Sequence, residues 1–185
     1  MQIEQNIRIG VIVDVTGEYF TARLASESKE LPSDEASGIK GARIGQVGSY
    51  LSIKQAGFQT LVMVERSYSV ADRQGKPVSM ARLVPLGEFS QQGVFTKGVS
   101  RFPNVGDEIQ VISHKQLERI FAAHSDHGYK MGHLTSFESI DVHLDASAFF
   151  GRHVAILGQS GSGKSWTVTS LIQSALLSMP KAHMI

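Results

Sequence analysis

The stretch "AILGQSGSGKSWT", residues 155–167, decides the fold of the C-terminal part of this chain. It contains the pattern G-x-x-x-x-G-K-S, with Gly158 and Gly163 followed by Lys164 and Ser165. A loop of this pattern cradles nucleotide phosphates when it joins a buried strand to a helix, because its backbone N–H groups then converge at the positive end of the helix. The pattern therefore has meaning only if the flanking residues form that strand and that helix.

The residues on both sides of the loop predict these two elements. Residues 154–157, "VAIL", form a short continuous apolar run, which is typical of a strand buried on both faces of a parallel sheet. After the loop, apolar side chains recur at helical spacing until Pro180 interrupts the pattern. These residues are Val168, Leu171, Ile172, Ala175 and Leu176. We therefore expect a strand, a phosphate-binding loop and a helix, and a Gly/Ser-rich surface turn that fits the pattern by chance is the weaker interpretation.

The candidate site consists of consecutive residues. The predicted nucleotide-binding residues are Gly158, Gln159, Ser160, Gly161, Ser162, Gly163, Lys164, Ser165 and Trp166. In such a loop the Lys164 ammonium neutralises the β and γ phosphates, and the Ser165 hydroxyl binds Mg²⁺. The size of Trp166 favours a place in the core, with a contact to the nucleotide or to a neighbouring subunit as the alternatives. ATP and Mg²⁺ are the expected cofactors.

Residues 1–112 follow a different pattern, which predicts a small antiparallel β-barrel or sandwich. Apolar residues alternate in "NIRIGVIVDV" and again in "EYFTARLA", with a turn at Thr16-Gly17 between them, and this indicates a hairpin. Five further short β-like runs follow, separated by glycines. They are "GSYLSIKQ", "FQTLVMVERSYSV", "MARLVPLGEF", "GVFTKGV" and "DEIQVIS". The polar segment "SESKELPSDEASGIKG", residues 26–41, is predicted to be an exposed loop.

Residues 113–137 are predicted to be a short helix followed by a linker, with the second domain running from 138 to 185. Ser113 and Gln116 have the spacing of a capping box at the start of that helix. Residues 124–137 show no sustained period, which favours a linker. The linker contains His124, His127 and His133, but only one carboxylate, Asp126, accompanies them. A solvated linker is therefore favoured over a metal site.

The composition excludes several classes of protein. The 185 residues include no cysteine, so disulfides and thiolate metal sites are excluded, and 42% of residues are hydrophobic. No apolar run reaches the roughly 18 residues that cross a bilayer, and the N-terminus lacks the order of a signal peptide, so we expect a cytoplasmic protein without membrane partners. The formal net charge is only +1. Any contact with DNA must therefore come from a local basic patch or from residues outside the chain.

The order of these parts resembles the HerA family of hexameric ATPases. The resemblance rests on the barrel end "GVFTKGVSRFPNVGDEIQVISHKQLERIF", residues 93–121, together with Pro85-Leu86-Gly87 and "RHVAILGQSGSGKS", residues 152–165. It implies a β-barrel N-terminal domain of the type found in ATP synthase catalytic subunits, followed by the truncated start of an α/β P-loop domain of RecA-like fold. It further implies a homo-hexamer that moves along double-stranded DNA, with the barrel forming a collar. A partner nuclease or other effector would dock on that barrel, in DNA processing or in anti-phage defence.

Part of the family's machinery has no counterpart before Ile185. The resemblance implies an acidic Walker B strand, a catalytic glutamate and an arginine finger, and none of these is found in the sequence. The catalytic residues are therefore unassigned, and we expect the chain to be the N-terminal part of a longer motor and inactive by itself. Two alternatives remain open, namely an ABC-type ATPase, which often carries the same loop string, and a non-enzymatic adaptor in which the barrel binds a partner.

Overall fold

The computed structural model describes residues 7–25, 45–121, 125, 128–134 and 137–178. The predicted loop at residues 26–41 lies outside them. The chain divides into two compact units, Met1–Leu117 and Glu118–Ile185. Among the described residues, the first unit contains the strands β1 (Arg8–Val15), β2 (Phe20–Leu24), β3 (Tyr50–Gln55), β4 (Phe58–Ala71), β5 (Pro77–Ser90), β6 (Phe95–Lys97) and β7 (Glu108–Val111). They are followed by α1 (His114–Phe121), β8 (Tyr129–Leu134), β9 (Phe137–Leu144), α2 (Ala146–Phe150) and α3 (Lys164–Ser178).

Six strands of the first unit close into a barrel, as the sequence predicts. They pair in the order β2-β1-β7-β3-β4-β5, every pair is antiparallel, and β5 returns to β2 to close the ring. In the closing pair, Phe20 lies opposite Leu83. The short strand β6 pairs with β5 outside the ring. Closure matters because it leaves the ring without a free edge to pair with another chain.

The alternating apolar residues of the sequence form the barrel core. Phe20 and Ile53 are fully buried, together with other residues whose side chains lie on the inner face of the strands. The core consists of Ile9, Ile12, Phe20, Ala22, Leu24, Leu51, Ile53, Val62, Val64, Ala81, Leu83 and Ile109. Gly10 allows β1 to approach β2 closely, since a Cβ at this position would collide with the carbonyl oxygen of Arg23. The antiparallel pairing of β1 with β2, in which Val15 lies opposite Phe20, confirms the first predicted hairpin.

Strands β4 and β5 continue beyond the barrel as a two-stranded ribbon, residues 65–79. The ladder between β3 and β4 ends at the pair Tyr50–Met63, and the ladder between β2 and β5 ends at Arg23–Met80. Strands β4 and β5 nevertheless stay paired up to Ala71 and Pro77. A turn at residues 72–76 joins them, and the carboxylate of Asp72 accepts hydrogen bonds of 2.8 Å from the backbone N–H groups of Gln74 and Lys76. The distal part of the ribbon therefore depends on its own pairing and its own turn.

The second unit contains a hairpin and two helices. Strands β8 and β9 pair in antiparallel fashion, and α3 lies against β8. The linker predicted at residues 124–137 is therefore wrong in part, because β8 occupies residues 129–134. Two register shifts in β8 disrupt the alternation that would have revealed a strand. Upstream, the capping box is confirmed, since the Gln116 N–H donates to the Ser113 hydroxyl and the Ser113 N–H donates to the Gln116 side chain.

The strand predicted at residues 154–157 is absent from the structure. Residues 153–159 form neither helix nor strand, and the side chain of Leu157 is 90% exposed. A strand of this type needs hydrogen-bonded neighbours and cover on both faces. The described residues of the second unit provide only the β8–β9 hairpin, which does not pair with this segment. None of the described helices combines the length and the apolar character needed to span a bilayer.

Candidate functional site

The G-x-x-x-x-G-K-S residues form a tight loop that ends at the first turn of α3. The backbone turns at Ser160 and Gly161, and the helix begins at Lys164. Gly161 and Gly163 have φ angles of +80° and +86°, a region in which residues with a Cβ are strained. The two glycines are therefore required by the shape of the backbone itself, at the two points where the loop bends.

Gly158 is required for a different reason, namely close approach. A Cβ at this position would lie 2.5 Å from the Ser162 hydroxyl oxygen and 3.5 Å from Cγ of Lys164. The glycine thus lets the start of the loop pass close to the Ser162 and Lys164 side chains. In loops of this pattern, phosphate groups bind beside these residues.

Internal hydrogen bonds hold the loop in this shape. The Gln159 carbonyl oxygen accepts from the Lys164 ammonium at 2.5 Å and from the Ser162 N–H at 3.2 Å. Lys164 therefore closes the loop on itself. An ammonium has three donors and this carbonyl uses one, so the others can serve a bound anion.

The first turn of α3 leaves backbone donors at its start. The first helical bond given by the structure runs from the Thr167 N–H to the Gly163 carbonyl, at 2.9 Å. The N–H groups of Lys164, Ser165 and Trp166 precede it, and such groups at a helix start have no partner within the helix. Together with the partial positive charge of the helix N-terminus, these donors favour an anion.

Of the side chains expected to complete the site, Ser165 and Trp166 are both exposed. The indole of Trp166 is 80% exposed, so the core position that its size favoured is wrong. The same helix buries Leu171 and Ala175 instead, and the Tyr129 hydroxyl donates to the Ser170 carbonyl at 3.4 Å. One face of α3 is thus fixed against β8 while its first turn stays open.

Residues 129–185 match the family described as the central domain of the helicase HerA. Residues 129–185 of this chain belong to the HerA family. A stretch of 72 residues is also 38% identical to a probable helicase of Methanocaldococcus jannaschii, and it covers 38% of this chain. The chain spans 13% of the length of that relative. The family match begins at the first residue of β8, so the hairpin, α2 and the loop all lie within it.

The histidines of the chain form no metal centre among the residues that the structure describes. His124, Asp126 and His127 lie outside that part of the chain. His133, on β8, lies opposite Asp141 on β9. The carboxylate of Asp141 instead binds the Lys130 ammonium at 2.7 Å, and this contact lowers the pKa of Asp141. These groups connect the two strands of an exposed hairpin.

Sequence reasoning did not anticipate α2, the short helix that precedes the loop. Asp145 caps it, with its carboxylate accepting from the Ala148 N–H at 3.1 Å. The signal was present, since an aspartate before a short run without glycine or proline is a common helix start. The ring of Phe150 at the end of α2 contacts the ring of Tyr129 edge to face, with centroids 6.2 Å apart. The helix thus connects the end of β9 to β8 just before the chain enters the loop.

Proposed function

We propose that this chain is the N-terminal part of an ATP-driven motor that moves along double-stranded DNA. The observation that carries the proposal is the loop at residues 158–165, whose glycines have the backbone angles and the close approach that phosphate binding requires. The loop lies within the segment that matches the HerA central domain. The relative from Methanocaldococcus jannaschii is named as a probable helicase, which supports a role on nucleic acid.

The nucleotide-binding residues in this proposal are those of the loop and the first turn of α3. ATP with Mg²⁺ supplies the phosphoryl bond whose hydrolysis drives movement. The N–H groups around Gly161 and Gly163 and at the start of α3 hold phosphate oxygens, and the Lys164 ammonium turns from Gln159 toward the phosphates. The Ser165 hydroxyl, exposed at the helix start, holds Mg²⁺. Gln159, Ser160, Ser162 and Trp166 form the walls of the same site.

The proposal extends to assembly and partners. A homo-hexamer, with the barrels forming a collar and the nucleotide at subunit interfaces, would couple hydrolysis to movement along DNA. Closure of the barrel supports this role, because a closed ring presents an independent folded surface to neighbours. We further propose a partner nuclease or other effector docked on the barrel, in DNA processing or defence against phage, in the cytoplasm. The catalytic acid, the glutamate that positions water and the arginine finger are not assigned to residues of this chain.

The decisive experiment separates nucleotide binding from turnover in the protein that carries the whole central domain. Lys164→Ala removes the one full positive charge that the loop directs at the phosphates, while the glycine backbone survives. DNA-stimulated ATP hydrolysis should fall on the order of 10²–10³-fold, and more than nucleotide affinity, because charge on the transferring group is largest in the transition state. A steady-state ATPase assay with and without duplex DNA measures this.

The companion variant Ser165→Ala tests the metal. Its defect should shrink as the Mg²⁺ concentration rises, whereas that of Lys164→Ala should not. Lys54→Ala, which removes an exposed barrel lysine, is the matched control and should hydrolyse ATP at the wild-type rate. Hydrolysis near the wild-type rate in Lys164→Ala would show that the loop is not the ATPase site, and nucleotide-independent partner binding would favour the adaptor instead.

A further inference from the structure

The ribbon, residues 65–79, carries three basic residues and two acidic ones, in a chain whose formal net charge is only +1. The basic residues are Arg66, Arg73 and Lys76. With so small a net charge, attraction of a polyanion to the described part of the chain has to come from a local group of exposed basic residues.

Both acidic residues of the ribbon already have partners. The carboxylate of Glu65 lies 3.7 Å from the Arg82 guanidinium. The carboxylate of Asp72 accepts two backbone hydrogen bonds in the turn, so it orders the tip of the ribbon. In the part of the chain that the structure describes, no carboxylate lies within ion-pair distance of Arg66, Arg73 or Lys76. The ribbon therefore carries three cations that are not neutralised by a paired acid.

The geometry of the ribbon presents these cations to solvent. Arg66, Arg73 and Lys76 are all exposed, the last two in the turn at the tip. Arg66 lies on the same face of β4 as Tyr68, and its guanidinium carbon is 5.5 Å from the centre of the tyrosine ring. Such a contact orients the guanidinium while leaving its N–H donors free.

We propose that the ribbon binds the phosphate backbone of double-stranded DNA. The major groove of B-form DNA is about 12 Å wide and admits a two-stranded β-ribbon, which would bring the tip residues Arg73 and Lys76 beside the phosphates. The contacts are with phosphates, so binding is independent of base sequence. The free edge of β4 would also suit an added strand of a protein partner, but three unpaired cations favour a polyanion over a neutral peptide. The inference rests on the proposed function, because it presumes that the full protein acts on duplex DNA.

The test replaces the three cations in the full protein, as Arg66→Gln, Arg73→Gln and Lys76→Gln together. Affinity for a random-sequence duplex is measured over a series of salt concentrations. Each phosphate contact that is lost lowers the slope of log affinity against log salt by about 0.9, so loss of all three should lower it by roughly 2 to 3. The matched control removes three exposed lysines elsewhere on the first unit, as Lys54→Gln, Lys97→Gln and Lys115→Gln, and should keep the wild-type slope.

A second variant tests whether the reduced salt slope comes from damage to the fold rather than from loss of charge. Arg66→Lys with Arg73→Lys keeps the charges and should retain most of the slope, and thermal unfolding of every variant checks that the barrel is intact. An equal loss of slope in the ribbon variant and the control would overturn the proposal, as would unchanged DNA binding combined with loss of a protein partner. Failure of the wild-type protein to bind duplex DNA at all would instead count against the proposed function, so the two failures are distinguishable.

Discussion

The two units of this chain bury their apolar residues to very different degrees. The barrel is a closed ring of six strands whose core side chains, such as Phe20 and Ile53, are fully buried. The second unit pairs only two strands, and its loop segment and α3 leave Leu157 and Ile172 exposed. The contrast shows that the stable part of the chain and the part with the phosphate-binding pattern are separate. The barrel satisfies its own backbone and core, whereas the loop is shaped by glycines and by a few local hydrogen bonds.

The largest expected effect compares one core residue from each unit. Phe20→Ala should lower the free energy of unfolding of the barrel by about 3–5 kcal/mol, because a closed core cannot collapse around the cavity. Leu171→Ala, in the less enclosed second unit, should lower its stability by about 2 kcal/mol or less. Chemical denaturation followed by circular dichroism measures both. Equal losses would show that the second unit is packed as tightly as the barrel.

A middle-sized effect tests whether close strand approach holds the barrel closed. Gly10→Ala places a methyl group against the Arg23 carbonyl and should destabilise the barrel by about 1–3 kcal/mol. Gly17→Ala is the matched control in the same hairpin, since nothing lies within 4 Å of its added Cβ. It should change the free energy of unfolding by no more than about 0.5 kcal/mol. An unchanged free energy of unfolding in Gly10→Ala would mean that β1 and β2 can move apart at no cost in stability.

The smallest effect is electrostatic and confined to the barrel. The Ser100 hydroxyl donates to the Glu88 carboxylate at 2.6 Å, and this lowers the pKa of Glu88 below its ordinary value of 4.5. Because the pKa is lower in the folded state, the stabilisation is present above 4.5 and is lost as the pH falls through the folded value. Ser100→Ala should therefore be slightly less stable than wild type at neutral pH, and the difference should be smaller at an acidic pH below 4.5. Denaturant titrations at both pH values test this. A difference in stability between the two proteins that grows in acid would contradict the prediction.

The barrel was predictable from sequence because its signals are local. Alternation around Ile9 and Phe20 specifies which side chains point inward, and glycines mark the turns. The pairing that closes the ring, Phe20 with Leu83, joins residues far apart in sequence and has no local signal. The ribbon was missed for the same reason. The sequence shows β4 and β5 as strands but not that β3 and β2 stop pairing with them at Met63 and Met80.

The candidate site shows where a motif is informative and where it is not. The glycine pattern predicted a loop and a helix, and the structure has α3 starting at Lys164. The preceding strand did not form, because the apolar run at residues 154–157 requires neighbouring strands that the described residues do not supply. The prediction of a core position for Trp166 rested on the size of its side chain, and it was wrong. A large aromatic side chain is buried only where other elements cover its face of the helix.

The position of Trp166 gives the second unit an optical signal of its own. It is the one tryptophan of the sequence, it lies directly after Ser165, and its indole is exposed. Excitation that selects indole therefore reports the surroundings of the loop and is silent about the barrel, whose described aromatic residues are tyrosine and phenylalanine. A shift of this emission to shorter wavelength follows when a ligand or a neighbouring subunit covers the indole. Backbone circular dichroism of the same sample reports the secondary structure of both units, so occupancy of the loop and integrity of the fold can be followed at once without an attached dye.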